Sequence, residues 1–203
     1  MTEAETDHST TATVTVILTT ELGDIRIAVE PQVAPETAAY FLDLIDQGRL
    51  DGATFHRSGA SFVADSDERQ LIQGGLLYQT MTGEDRRPIA ATGEALLASF
   101  ETTKQSGLSH QRGTVSLARD LLGTGYAIPE LFICLRDSPE FDANGRTEPD
   151  TLGFPAFAQV TDGMDVVEHI ASQERNGVTK TSVLTGQILT HPVVIVQARR
   201  TPS

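Results

Sequence analysis

Apolar and polar residues alternate along the chain from Thr13: Val14, Val16 and Leu18 interleave with threonines, and after Glu21-Leu22-Gly23-Asp24 the alternation resumes as Ile25, Ile27 and Val29. A period of two on either side of a turn predicts a β-hairpin with one buried face. From Pro35 the period becomes helical. Ala34, Ala38, Phe41, Leu42 and Ile45 share a face, Pro35 suits the first turn and Gly48 suits the stop. A second, shorter helix is expected from Met164, Val167 and Ile170-Ala171, after Asp162-Gly163. The rest reads as short strands divided by Gly and Pro: Thr54–Arg57, Leu71–Gln73, Gly113–Ala118, Glu130–Leu135, Ala156–Val160 and Pro192–Arg199. Val193-Val194-Ile195-Val196 is apolar on both faces, the pattern of a central strand or a barrel seam. Many short strands with two helices predict a mainly β fold, a closed barrel with helices plugging its ends. Closure removes the strand edges that would otherwise pair with other chains.

The polar stretches complete the outline. Residues 1–12 carry almost no large apolar side chain and are expected to form a disordered arm, with a single domain over residues 13–203. Two segments, Tyr78–His110 and Asp137–Gly153, exceed ordinary loop length, which predicts either function or disorder. Within the first, Ala95–Phe100 is expected to form one helical turn that packs back on the body.

Charge narrows the partners. Among 203 residues, 15 Lys and Arg face 28 Asp and Glu, a formal net charge of −13. Such a field repels polyanions, so neither nucleic acid nor an anionic membrane is an expected partner. No run approaches the roughly 18 consecutive apolar residues of a membrane span, so no membrane insertion is expected. The first residues lack the basic and apolar regions of a signal peptide. An acidic, Ser/Thr-rich start also suits an exported protein whose signal has been trimmed, so cytoplasmic and periplasmic or exported locations both fit. The single cysteine, Cys134, excludes an internal disulfide framework and a thiolate metal cage, and in Leu131–Leu135 it reads as a small residue of a buried strand.

Several constellations lead nowhere. Asp137, Asp142, Asn144, Glu148 and Asp150 make an oxygen-rich loop without the terminal bidentate Glu of a calcium loop, and read as a solvated turn. His110, His169 and His191 lack metal-ligand spacing, no Gly-x-Ser-x-Gly elbow is present, and Gly74-Gly75 lacks the lysine and helix of a phosphate loop. Neither metal nor cofactor is expected.

One ordered set of motifs remains: Asp51–Arg57 with its Phe55-His56-Arg57, then Ile72-Gln73-Gly74-Gly75, His110–Ala118 and Leu131-Phe132-Ile133. In order and character it resembles the cyclophilins, peptidyl-prolyl cis-trans isomerases, as a divergent, bacterial-like member. The resemblance runs from about Thr13 to Arg199, since Gly23-Asp24-Ile25, Ala34-Pro35, Phe41, the Phe157 strand and Gly163–Val167 also fall where that family places similar residues. It implies a closed eight-stranded antiparallel β-barrel capped by two α-helices. It also implies isomerase activity in protein folding without a cofactor, Pro-containing polypeptide substrates and, together with the charge, a monomer.

The resemblance assigns roles residue by residue. Arg57 matches the catalytic arginine and Phe132 the floor of the proline pocket. Gln73 matches the glutamine that orients the arginine and contacts the substrate backbone. Ala118 and Arg119 match the segment whose backbone holds the peptide before proline, and His56 is expected to face inward as a structural residue. The chemistry needs few groups, because rotating a peptide bond costs about 18–20 kcal/mol but breaks no σ bond. A fixed guanidinium that donates to the twisted amide binds the transition state better than the ground state.

The chain also departs from the family pattern. Between Arg57 and Gln73 it is longer by about eight residues, and two registers fit. In one, Phe62 and Val63 keep the places of two apolar pocket residues and Ala64–Leu71 is inserted; in the other, Gln70 and Leu71 take those places. The pocket's need for apolar area favours Phe62. Glu130 stands where the family has glutamine, which points to a pairing with Arg57 that either locks it or competes with substrate. Asp120–Pro129 replaces a polar, Gly- and Asn-rich loop. Tryptophan is absent, with Phe141 as the nearest substitute for the family's drug-contacting indole, and Phe154 falls near the pocket rim. These departures leave a second reading, a weakly active or inactive cyclophilin-like binding or chaperone module for Pro-containing segments.

Overall fold

The structure, a computed structural model, describes residues 12–60, 67–83, 87–146 and 150–202. Residues 1–11, which hold nearly all of the expected arm, lie outside the described residues, as do Phe62 and Val63.

Eight strands close into one antiparallel barrel: β1 (Val14–Thr20), β2 (Gly23–Val29), β3 (Thr54–Gly59), β4 (Leu71–Gly75), β5 (Thr114–Arg119), β6 (Ala127–Cys134), β7 (Ala156–Asp162) and β8 (Ile188–Arg200), in the order β1-β2-β7-β5-β6-β4-β3-β8. The first hairpin pairs in register from Val14 with Val29 to Thr20 with Gly23, and places Val16, Leu18, Ile25, Ile27 and Val29 inside. Helix α1 (Pro35–Asp46) packs on β7 and β8, and helix α4 (Met164–Ser172) on β2, β3 and β4. Ala34 offers α1 no side-chain cap; the carboxylate of Glu101 supplies one from the long loop, accepting from the N–H groups of Glu36 (2.8 Å) and Thr37 (3.2 Å).

The last strand is the seam, pairing β1 on one side and β3 on the other. Its apolar run is not buried on both faces, however: Val193 and Ile195 point into the core while Val196 is exposed. The β6 strand starts earlier than its pattern suggests and contains Pro129. The ladder tolerates the proline because it uses the carbonyl, which accepts from Leu76 N–H at 3.1 Å.

The first long segment is more ordered than a loop. It holds two short helices that the apolar pattern does not show, α2 (Tyr78–Thr82) and α3 (Thr103–Ser106), the latter with a Thr102–Gln105 capping box. The helical turn expected at Ala95–Phe100 is instead a single β rung. Leu97 and Ala127 exchange both backbone hydrogen bonds at 2.9 Å, and Leu97 and Phe100 pack on the core. Extended backbone wins here because β4 ends at Gly75 opposite Glu130, leaving the start of β6 an open edge that Leu97 satisfies.

Candidate active site

The pleat of β6 sorts side chains between two clusters. Ala127, Leu131 and Ile133 belong to the barrel core, while Ile128, Phe132 and Cys134 face outward into a second cluster with Leu71, Leu77, Ala118, Phe141 and Phe154. Pairing register then lines up one row across neighbouring strands: Arg57 opposite Gln73, Gln73 opposite Phe132, and Phe132 opposite Ser116. The Phe55/Arg57 register shift in β3 accompanies this row.

The row opens into a cavity of about 390 Å³. Arg57, Gln73, Ala118, Arg119, Phe132, Phe141 and Phe154, all expected site residues, line it together. The floor is aromatic: Phe132, Phe141 and Phe154 meet edge to face at 5.3–5.5 Å between ring centroids. Beneath, the His110 ring stacks on Phe132 at 5.8 Å and is fixed by Asp142, whose Oδ1 accepts from His110 N–H (2.9 Å) and lies 2.7 Å from Nδ1. The oxygen-rich loop thus anchors the floor through Asp142. Burial pushes the Cys134 thiol up, so it packs as an inert apolar residue.

Arg57 is nearly buried and bonded on three sides. Nη1 donates to Gln73 Oε1 (2.7 Å), Nη2 to the carbonyl of Ala60 (3.0 Å) and to Gln187 Oε1 (2.8 Å), and Nε to Gln187 Oε1 (3.0 Å). A guanidinium has five N–H groups. Four are engaged by these bonds, and the fifth, on Nη1, has no partner among the described residues. Burial pushes the Arg57 pKa down to about 10 against the opposing pull of Glu130, so the group is charged at neutral pH.

Glu130 is not where the sequence reading puts it. It is buried, does not line the cavity and makes no ion pair with Arg57 among the described residues. It pairs with Gly75 on β4, two rungs from Gln73, and Gln73 bonds to both charged groups. Its Oε1 accepts from Leu77 N–H (2.6 Å) and its Oε2 from Gln73 Nε2 (3.3 Å). His56 is buried as expected, with Nε2 3.2 Å from Glu130 Oε2 and Nδ1 3.1 Å from the Thr54 carbonyl. The carboxylate needs Gly75: a Cβ there would stand 2.8 Å from Glu130 Oε1. Glu130 therefore acts on Arg57 through Gln73.

Arg119 reaches the cavity wall with its charge committed elsewhere. It donates to the carbonyls of Gly125 (2.9 Å) and Gly153 (2.7 Å), pairs with Asp150 at 2.8 Å, and lies 5.1 Å over the Phe100 ring. Any grip on a peptide falls to its backbone. Of the two residues the second register places in the pocket, Leu71 lines the cavity and Gln70 does not, its Nε2 donating to Ser138 Oγ at 3.0 Å. The sequence reading missed the far wall: Met81, Ile89, Leu121, Leu122, Val183 and Leu184. It also missed Gln187, which carries no motif and lies 130 positions from Arg57.

Comparison with known proteins identifies a family. The family model "Cyclophilin type peptidyl-prolyl cis-trans isomerase/CLD" matches residues 15–199. Peptidyl-prolyl cis-trans isomerase B of Escherichia coli is 32% identical over 151 residues, 74% of this chain and 80% of that protein. Peptidyl-prolyl cis-trans isomerase A of Dickeya dadantii is 28% identical over 163 residues, 80% of this chain and 74% of that protein. The crystal structure of a Cryptosporidium parvum cyclophilin type peptidyl-prolyl cis-trans isomerase shares the fold, with a TM-score of 0.66 at 15% identity over 95% of this chain and 99% of that one. Another crystal structure of that isomerase was determined in the presence of the dipeptide Ala-Pro. With the barrel, the Arg57–Gln73–Phe132 row and a family match that spans almost the whole length, the chain belongs to the cyclophilin-type peptidyl-prolyl cis-trans isomerases.

Proposed function

We propose that the enzyme acts on X–Pro bonds of exposed polypeptide segments during folding, with the proline ring seated on Phe132, Phe141 and Phe154 and Arg57 as the catalytic residue. The observation that carries this reading is the state of Arg57: a buried guanidinium, bonded at four of its N–H groups, with a fifth that has no partner among the described residues, on a side chain that lines the same cavity as the aromatic floor. The planar amide is stabilised by delocalisation of the nitrogen lone pair. As the bond twists, that pair localises on nitrogen and becomes an acceptor. A donor already fixed in place binds it without reorganising, so the interaction strengthens in the transition state and lowers a barrier of about 18–20 kcal/mol. The floor holds the ring while the preceding carbonyl swings. Gln73 fixes Nη1, and in this reading the backbone at Ala118 and Arg119, which line the cavity, holds the residues before proline.

Exchange spectroscopy on short Ala-Pro, Phe-Pro and Leu-Pro peptides tests this directly. Wild type should accelerate interconversion of all three, and Arg57→Ala should lose about 10²–10³ of the rate, the scale for one pre-organised donor, while still binding the peptides. Equal rates for wild type and Arg57→Ala would remove Arg57 from the mechanism.

A further inference from the structure

We propose that Gln187 is a positioning residue for the reaction: together with Gly59 it forms a second cradle that fixes the Arg57 guanidinium from the side opposite Gln73. This rests on the role given to Arg57 above. Gln187 is fully buried at the junction between the wall segment Thr181–Leu184 and β8, and the Arg57–Ile188 register puts it beside the arginine. Its Oε1 accepts from both Nε (3.0 Å) and Nη2 (2.8 Å), so one atom fixes the rotation of the planar guanidinium about Cδ–Nε. Its amide has only one useful orientation. Nε2 donates to the Val183 carbonyl at 3.1 Å, and a carbonyl accepts only, so the oxygen must face Arg57.

The backbone is held as well, with Ser58 N–H donating to Gln187 O (2.9 Å) and Gln187 N–H to Leu184 O (3.0 Å). Gly59 is the socket for the side chain. A Cβ there would stand 2.2 Å from Gln187 Oε1 and 2.6 Å from its Cγ and Cδ, so any other residue displaces Gln187 from the arginine. Val183 and Leu184 line the cavity a few residues away, so the same segment both shapes the substrate wall and orients the donor.

Two variants isolate the role. Gln187→Met keeps the volume and removes the acceptor; Gly59→Ala leaves Gln187 and Arg57 chemically intact and pushes them apart. Each should lower kcat about tenfold with KM unchanged, because a mis-set donor weakens the twisted state and not the ground state. Wild type should show a distinct, slowly exchanging Arg57 Nε–H resonance in ¹⁵N spectra, assigned by its loss in Arg57→Ala, and each variant should collapse it into the envelope of solvent-exposed arginines. Circular dichroism checks that both fold. The proposal is overturned if either folded variant keeps wild-type kcat and the Arg57 resonance, or if KM rises with kcat unchanged, which would make Gln187 a wall element only. Wild type that turns over no peptide would instead remove the catalytic reading of Arg57, and the resonance would still report whether Gln187 holds it.

Discussion

Arg57 is gripped by two glutamines, and the two grips are built differently. On one side Gln73 sits in a regular ladder, its Oε1 on Nη1 and its Nε2 on the Glu130 carboxylate. On the other, Gln187 follows a turn, its Oε1 on Nε and Nη2 and its Nε2 on the Val183 carbonyl. Each amide is oriented by an acceptor behind it, so the logic is shared. The difference is electrostatic: the strand side ends in a buried negative charge, the loop side in a neutral carbonyl. Gln73 and Gln187 are therefore comparable as restraints, and only the strand side also tunes the charge of the arginine.

The largest effect should come from removing both restraints. Each of Gln73→Leu and Gln187→Met leaves the other glutamine in place, whereas the double variant frees the guanidinium to rotate. Turnover of an Ala-Pro peptide should then fall about 10²-fold, approaching Arg57→Ala, with the two losses coupled because both residues touch the same group. A double variant as active as either single one would show that neither glutamine restrains Arg57 without the other.

The strand side was legible in the sequence and the loop side was not, for a physical reason. Arg57, Gln73 and Phe132 lie in short motifs, Phe-His-Arg, Ile-Gln-Gly-Gly and Leu-Phe-Ile, whose resemblance to the family singles them out, and strand pairing then sets them in one row. The barrel and its two main helices were readable from local periodicity, two along the strands and 3.6 along the helices. Gln187 has no such code. Its place depends on how Thr181–Leu184 packs and on the absence of a side chain at Gly59, both tertiary facts. The Leu97 rung was misread as helix because its partner is an edge left open by the early end of β4. Glu130 was misread as a partner of Arg57 because its place in the motif shows a carboxylate near the arginine and not the glutamine between them.

Glu130→Gln sharpens the comparison with a smaller effect. A glutamine there can still accept from Leu77 N–H, but it can also present its amide nitrogen to Gln73, which lets Gln73 turn its own nitrogen toward Arg57. The rate should fall by less than about tenfold, the worth of about one hydrogen bond. A faster Glu130→Gln enzyme would mean that the carboxylate competes for the arginine after all.

The smallest effect separates charge from orientation. Burial pushes the Arg57 pKa down to about 10, while the Glu130 carboxylate pulls it up. Below that pH the guanidinium is charged and all its donors are present. As pH rises through about 10 the charge is lost, and with it the strength of donation to the twisted amide, so kcat should be flat from pH 6 to 9 and then decline. Glu130→Gln deletes the charge that favours the protonated form, so its alkaline decline should begin at lower pH. Gln187→Met deletes no charge, so its decline should start where the wild-type decline does, at a lower plateau. Measuring kcat against pH for the three proteins distinguishes the two sides of the cradle. If the declines of wild type and Glu130→Gln coincide, the buried carboxylate acts by orienting Gln73 alone, and the two grips are equivalent in kind.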